Sequence, residues 1–269
     1  MPSPSADVLR RNAVRVTGNA SGQAMVFAHG FGGTGEAWRF VAPEFEAEYR
    51  VVVFDHVGAG DSDPAFYDRA KYDSLHGYVD DLVEIIEALE LTDVILVGHS
   101  VSGTVGILAA NARPDLFSRL ILIGPSPRYL DDGDYTGGFS REQIDQLLDS
   151  LDSNYLGWSS VIAPTFMGNA DRPELGAALA QSIQAIDPAI AAQFARVTFL
   201  SDNRRDLRDV TVPTLVLQSS EDMIAALPVG QYVHSQIPDS TLVVMSSRGH
   251  VPILSDPAEV TRHMKAYLT

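Results

Sequence analysis

The chain has 269 residues, 45% of them hydrophobic and 20% charged. That is enough apolar material for the core of one domain, or of one domain carrying a large insertion. A formal net charge of −16 opposes binding to DNA, RNA or an anionic membrane surface, and would repel a strongly anionic substrate at long range. The absence of cysteine excludes disulfides, thiolate metal sites and a cysteine nucleophile. The N-terminal segment holds no apolar stretch of the kind a secretory signal needs, and no window reaches the ~18 apolar residues of a membrane span, so a cytoplasmic protein is expected.

Residues 1–11 read as a tail. An alternating run at 13–17 predicts a first strand, stopped by Gly18 and Asn19. Ala24-Met25-Val26-Phe27-Ala28 is apolar throughout, the mark of a strand covered on both faces. It leads through His29 into Gly30-Phe31-Gly32-Gly33-Thr34-Gly35. This loop has no lysine, and its glycine spacing fits neither a P-loop nor a dinucleotide fingerprint. The remaining reading is a loop that brings backbone N–H groups close to a reacting centre.

A helix is predicted over 38–47 and a third buried strand over 50–55. The turn from His56 to Ser62 follows, and Asp55 with Ser62 is read as bracing it through side-chain-to-backbone hydrogen bonds. That reading is preferred to an Asp55–His56 acid–base pair. An amphipathic helix over 72–91, capped by Asp73 or Ser74, sets Val79, Leu82, Val83, Ile86 and Leu89 at helical spacing.

Val94-Ile95-Leu96-Val97 then runs into Gly98-His99-Ser100-Val101-Ser102-Gly103, with a helix over 104–112 directly behind. A buried strand, a tight turn and a helix hold a serine hydroxyl clear of the backbone, where a base can reach it. The start of the helix presents N–H groups suited to an oxyanion. The strict pattern G-x-S-x-G is not met, because Ser102 stands at its last position. A fifth strand follows over 120–124.

Apolar strands alternating with helices predict a mostly parallel sheet with helices on both faces, and functional residues at the C-terminal strand ends. Between 126 and 205 the alternation stops, and helices are predicted near 140–154, 155–167, 173–186 and 188–200. The expected organisation is an α/β core of residues 1–125 and 206–269 with a helical lid of residues 126–205 inserted. Aromatic side chains of the lid would line a pocket over Ser100. The sheet resumes at 212–218 and 240–245 with a helical pattern between, and a last helix opened by Asp256 or Pro257 runs to 268.

The two late strands end in chemistry. One ends at Asp222, with Glu221 a rival for the same role; the other ends at Gly249-His250. The chain order Ser100, Asp222, His250 at three strand ends of one sheet points to nucleophilic catalysis by serine. His250 would act as general base and Asp222 would orient its imidazole. The N–H groups of Phe31 and Val101 would hold the oxyanion. Of the other histidines, His29 and His99 flank glycine turns and read as structural. His56 and His76 have no acid and serine in order behind them, and His234 and His263 fall on solvated helix faces.

Several stretches carry a resemblance. They include Ala28-His29-Gly30-Phe31-Gly32, Gly98-His99-Ser100-Val101-Ser102, Arg113-Pro114-Asp115-Leu116-Phe117-Ser118, Phe199-Leu200-Ser201-Asp202 and Arg248-Gly249-His250. With them the chain resembles, nearly end to end, the α/β-hydrolase superfamily. Within it the likeness is to the group holding the bacterial stress-response regulator RsbQ and the plant strigolactone and karrikin receptors. The plant receptors share G-H-S-V-S, so Ser102 becomes a trait of that group. The resemblance implies an α/β-hydrolase fold with a four-helix lid over a hydrophobic pocket lined by Phe31, Phe139, Trp158 and Phe199, with no metal and no cofactor. It implies hydrolysis of a small apolar ester or lactone. The alternative is a ligand sensor that keeps the triad and acts through a protein partner at the lid, such as a stress-pathway phosphatase. A serine nucleophile argues against the dehalogenases and epoxide hydrolases of the same fold, whereas cofactor-free haloperoxidase chemistry uses the same three residues. Two departures touch the pocket. Asp222-Met223-Ile224-Ala225-Ala226 has alanine where bacterial relatives tend to have proline, and Val251-Pro252-Ile253 follows His250 where relatives often carry a second histidine.

Overall fold

The computed structural model describes residues 4–269. In chain order the elements are α1 (Pro4–Arg11), β1 (Arg15–Gly18), β2 (Ala24–Ala28), β3 (Arg50–Val53), α2 (His76–Ala88), β4 (Val94–His99), α3 (Val101–Ala112) and β5 (Phe117–Ile123). Four helices follow without a strand of the sheet between them: α4 (Arg141–Ser153), α5 (Tyr155–Met167), α6 (Pro173–Gln184) and α7 (Pro188–Leu200). The chain closes with β6 (Thr214–Glu221), α8 (Leu227–Gln236), β7 (Ser240–Arg248), α9 (Pro252–Ser255) and α10 (Pro257–Leu268).

Seven strands form one sheet in the order β1-β3-β2-β4-β5-β6-β7. Only β1 runs antiparallel to its neighbour; every other pair is parallel. Alternate residues of the central strands face opposite sides. Met25, Phe27, Ile95, Val97, Ile121 and Ile123 enter one core, and Val26, Leu96, Leu120 and Leu122 enter the other. Both sides are buried, so no polar residue is needed on either, and the strands read as unbroken apolar runs.

Three local expectations are corrected. The supposed tail over 1–11 is helical from Pro4, and Arg11 pairs with Asp81 and Glu84 of α2 at 2.8 and 2.6 Å; residues 1–3 lie outside the described residues. The helix expected over 38–47 is two short 3-10 turns, Gly35–Trp38 and Ala42–Phe45. Pro43 lacks the N–H that a continuous helix would require there. The helix expected over 72–91 begins only at His76, and neither Asp73 nor Ser74 caps it. The preceding turn instead folds Lys71 and Tyr72 back onto buried Asp81, at 2.6 and 2.8 Å.

The glycine-rich turn after β3 is braced as its composition suggests. Asp55 accepts from the N–H groups of Gly35 and Asp61, and the Ser62 hydroxyl accepts from Gly58. Among the described residues no helix is long and apolar enough to cross a membrane.

Candidate active site

Ser100 sits between β4 and α3 with φ 57° and ψ −125°, a conformation a non-glycine residue adopts only under constraint. The constraint comes from its neighbours. A Cβ on Gly98 would lie 2.5 Å from the carbonyl oxygen of Ser102, so only glycine lets the strand enter so sharp a turn. The Ser100 N–H donates to Ile123 of β5, which fixes the turn to the sheet. Val101 is the first residue of α3, so its N–H has no acceptor within the helix.

The structure brings Ser100, His250 and Asp222 together from three strand ends. Ser100 Oγ lies 2.7 Å from His250 Nε2, and His250 Nδ1 lies 2.8 Å from Asp222 Oδ2. The other carboxylate oxygen of Asp222 accepts from the N–H groups of Ile224 and Ala225 at 2.8 and 3.0 Å. Nδ1–H therefore donates to Asp222, and the Nε2 lone pair faces the serine hydroxyl. Burial opposes the charge on Asp222, but the charge and hydrogen bond of His250 and the two N–H groups outweigh it, and the carboxyl is held below its ordinary value. Glu221, the rival acid, is the last residue of β6 and points to solvent, 3.6 Å from Arg248.

Backbone contacts hold His250 from two sides. His99 Nε2–H donates to its carbonyl at 2.7 Å. Its own N–H donates to the carbonyl of Phe166 in α5 at 2.8 Å. The preceding residue, Gly249, has φ +82°, and a Cβ there would lie 1.7 Å from the carbonyl oxygen of Met167. Glycine is thus required where the inserted helices meet the histidine loop. His99 is buried, and burial together with His250 pushes its pKa down to about 3.

Ser102 accounts for the departure in the elbow motif. Its hydroxyl donates to the carbonyl of His29 at 2.5 Å and lies 2.8 Å from His56 Nε2. His29 Nδ1–H donates to the Gly30 carbonyl, and His29 Nε2 accepts from the His56 N–H at 3.1 Å. Both histidines are buried and held below their ordinary pKa by that burial, so this network is neutral.

A cavity of about 180 Å³ opens onto Ser100 and His250. Phe31 and Phe199 line it. Trp158 and Phe139, the other two expected pocket positions, are not among the residues that line it. Trp158 packs edge-on behind Phe31 at 6.2 Å and stacks on Tyr155, while the Phe139 backbone pairs with Tyr129 and Asp131. Tyr129, Phe166, Leu179, Thr198, Ile224 and Leu254 stand on the wall instead. Tyr129 and Phe166 are among the aromatic residues of the insertion that the sequence offers for the pocket; local signals single out none of the other four, because the wall is assembled from the loops after β5 and β6 and from α5, α6, α7 and α9. Tyr129 is buried, and burial pushes its phenol up to about 12 despite the opposing pull of Ser100. Among the described residues no group of three or more His, Cys, Asp or Glu could hold a metal ion.

A seven-stranded, mostly parallel sheet with a strained serine at the turn after a central strand defines the α/β-hydrolase class of enzyme. The sequence profile of the Alpha/beta hydrolase family matches residues 25–263, and the chain belongs to that family. It is 41% identical over 245 residues to a probable esterase of Oryza sativa subsp. japonica, covering 91% of this chain and 90% of that protein. It is 39% identical to a strigolactone esterase of Arabidopsis thaliana, over 97% of this chain and 98% of that one. It is 38% identical to the karrikin insensitive 2 receptor CA of Petunia hybrida, over 91% and 90%. Among solved structures it superposes on olei00960, a hydrolase from Oleispira antarctica, with a TM-score of 0.95 and 37% identity, covering 99% and 98%.

Proposed function

We propose that this protein is a serine hydrolase that cleaves a small apolar ester or lactone through an acyl-enzyme. The observation that carries the reading is the unbroken hydrogen-bond chain from Ser100 through His250 to Asp222, at 2.7 and 2.8 Å.

Ser100 Oγ attacks the carbonyl carbon as its proton passes to His250 Nε2. Asp222 stabilises the imidazolium so formed. The carbonyl oxygen, now an oxyanion, is held by the N–H groups of Phe31 and Val101. Collapse of the tetrahedral intermediate breaks the bond to the alcohol oxygen, which takes the proton from His250. For a lactone that oxygen stays tethered to the acyl chain. Water, deprotonated by His250, then attacks the acyl-enzyme and releases the acid. The apolar wall contributed by Phe31 and Phe199 supports an uncharged substrate, and the net charge of −16 supports the same choice. The helical insertion of residues 126–205 serves as the lid over this pocket.

The test is hydrolysis of short-chain 4-nitrophenyl esters and small lactones by the wild type and by Ser100→Ala. The expected loss in kcat is on the order of 10⁴-fold or more, as for other enzymes that lose the nucleophile of such a unit. Retained activity in Ser100→Ala overturns the reading.

The 38% identity to a karrikin receptor favours a second reading, in which slow turnover reports ligand to a protein partner at the outer face of the lid. By the earlier resemblance that partner is a stress-pathway phosphatase. The two readings separate on turnover. Steady multiple turnover supports the enzyme, whereas a single-turnover burst with a slow release step supports the sensor.

A further inference from the structure

One buried amide in β6 is left over once the catalytic chain is accounted for. The apolar run Leu215-Val216-Leu217 leads into Gln218, which is 0% exposed. A buried glutamine needs partners at both ends of its carboxamide. At one end Gln218 Nε2 donates to the carbonyl of Ala225 at 2.5 Å and reaches Asp222 Oδ2 at 3.5 Å, a long and weak contact. At the other end Oε1 has no partner. It packs against α8, where a Cβ on Gly230 would lie 2.6 Å from it. Alanine suits a helix interior better than glycine, and Gly230 gives up that advantage to make room for the amide.

The two ends of this amide are not interchangeable. Turned over, its oxygen would face a carbonyl and a carboxylate, both acceptors. The NH2 end therefore stays toward Asp222, although a buried carbonyl oxygen is left unpaired behind it. The turn it serves is short. Asp222 Oδ1 accepts from the N–H groups of Ile224 and Ala225, and the Ala225 carbonyl accepts from Gln218. Gln218 Nε2 returns to Oδ2 of the same carboxylate, the oxygen 2.8 Å from His250 Nδ1. These contacts close a ring through the carboxylate. Rotating the carboxylate away from His250 breaks the ring. Without Gln218, the N–H groups of one turn are left to aim it.

We propose that Gln218 is a positioning residue: its amide closes the turn after β6 and so holds Asp222 Oδ2 on His250 Nδ1. Gln218 is not among the residues that line the cavity, so it acts through Asp222 and not on the substrate. An aimed carboxylate is needed whenever the imidazole takes a proton, first from Ser100 and later from water. The proposal rests on the serine hydrolase reading above.

The test is a double-mutant cycle on kcat/KM for 4-nitrophenyl acetate, with activity counted per folded chain. Gln218→Met keeps the length of the side chain and removes its donors. It is made in wild type and in Asp222→Asn. The expected loss is about tenfold or more in the wild-type background, and about twofold or less with Asp222→Asn, where no carboxylate remains to be aimed. A loss within about twofold in wild type, or a loss of equal size in both backgrounds, overturns the proposal, because a residue that only packs costs the same in each. Gln218→Glu is the second variant and stands alone should Gln218→Met not fold. Burial beside Asp222 keeps its carboxyl protonated at about pH 6, where it still donates to the Ala225 carbonyl. Activity there should stay within about threefold of wild type, and a loss of about tenfold or more overturns the proposal. If wild type hydrolyses no ester, hydrolysis is what fails. The cycle is then read on the rate at which a fluorophosphonate labels Ser100. Equal losses in both backgrounds, or no labelling of wild type, overturn the positioning role.

Discussion

The hydroxyl of Ser102 donates to the carbonyl oxygen of His29 across 2.5 Å, joining the first turn of α3 to the end of β2. Val101 precedes Ser102, and Phe31 lies two residues beyond His29. The bond therefore ties together the two segments whose N–H groups are proposed to form the oxyanion hole. A glycine, which the general elbow pattern has here, could not make it.

Removing that hydroxyl is expected to loosen the oxyanion donors more than the substrate pocket. In Ser102→Ala, kcat should fall about tenfold while KM changes little, because a donor displaced by a few tenths of an ångström weakens stabilisation of the transition state and not ground-state binding. Steady-state kinetics on a 4-nitrophenyl ester checks the split. Thermal denaturation should show a loss of about 1–2 kcal/mol, the cost of one buried hydrogen bond.

The two adjacent acids at the end of β6 should behave very differently. Asp222→Asn removes the charge that faces His250 Nδ1 at 2.8 Å, and kcat should drop on the order of 10³–10⁴-fold. Glu221→Gln alters an exposed side chain whose nearest cation is Arg248 at 3.6 Å, and activity should stay within about twofold. The pair of variants, assayed side by side, decides which acid serves the histidine.

Gly249 joins the inserted helices to the histidine loop. Gly249→Ala places a methyl group against the Met167 carbonyl at a positive φ, and the backbone must move. The expected cost is about 1–3 kcal/mol of stability. Because His250 donates its N–H to Phe166, kcat should fall with it, read from unfolding curves and kinetics on one preparation.

Stability should decline on mild acidification. His29, His56 and His99 are buried, and burial lowers the pKa of all three. Their native forms stay neutral while the unfolded chain takes up protons below its ordinary value of 6.5. The unfolded state then binds more protons, so stability falls as pH falls, beginning near 6.5 and continuing for His99 to about 3. Each group contributes about 1.4 kcal/mol per pH unit inside its window. Denaturant unfolding between about pH 6.5 and about pH 4.5 checks the slope, which should become shallower by one histidine in His99→Gln.

Much of this was legible in the residues because the physics is local. Unbroken apolar runs such as Ala24–Ala28 mark strands buried on both faces, and chain order with strand ends brought Ser100, Asp222 and His250 into one reading. What the sequence hid depends on distant partners. Helix α1 is held through Arg11 on Asp81, seventy positions on, and no local pattern announces it. The two 3-10 turns replace a helix because Pro43 interrupts a pattern that is otherwise helical. Trp158 and Phe139 carry the right chemistry for a cavity wall but turn into packing contacts.

The central claim is that Ser100, activated by His250, takes the acyl group. It is tested most directly by trapping that group: wild type and Ser100→Ala are treated with a fluorophosphonate that labels activated serines, digested, and mapped by mass spectrometry. The account predicts one adduct per wild-type chain, on the peptide containing Gly98-His99-Ser100, and none in Ser100→Ala. A stoichiometric adduct on another residue, or no adduct on Ser100 in a preparation that hydrolyses esters, would contradict it.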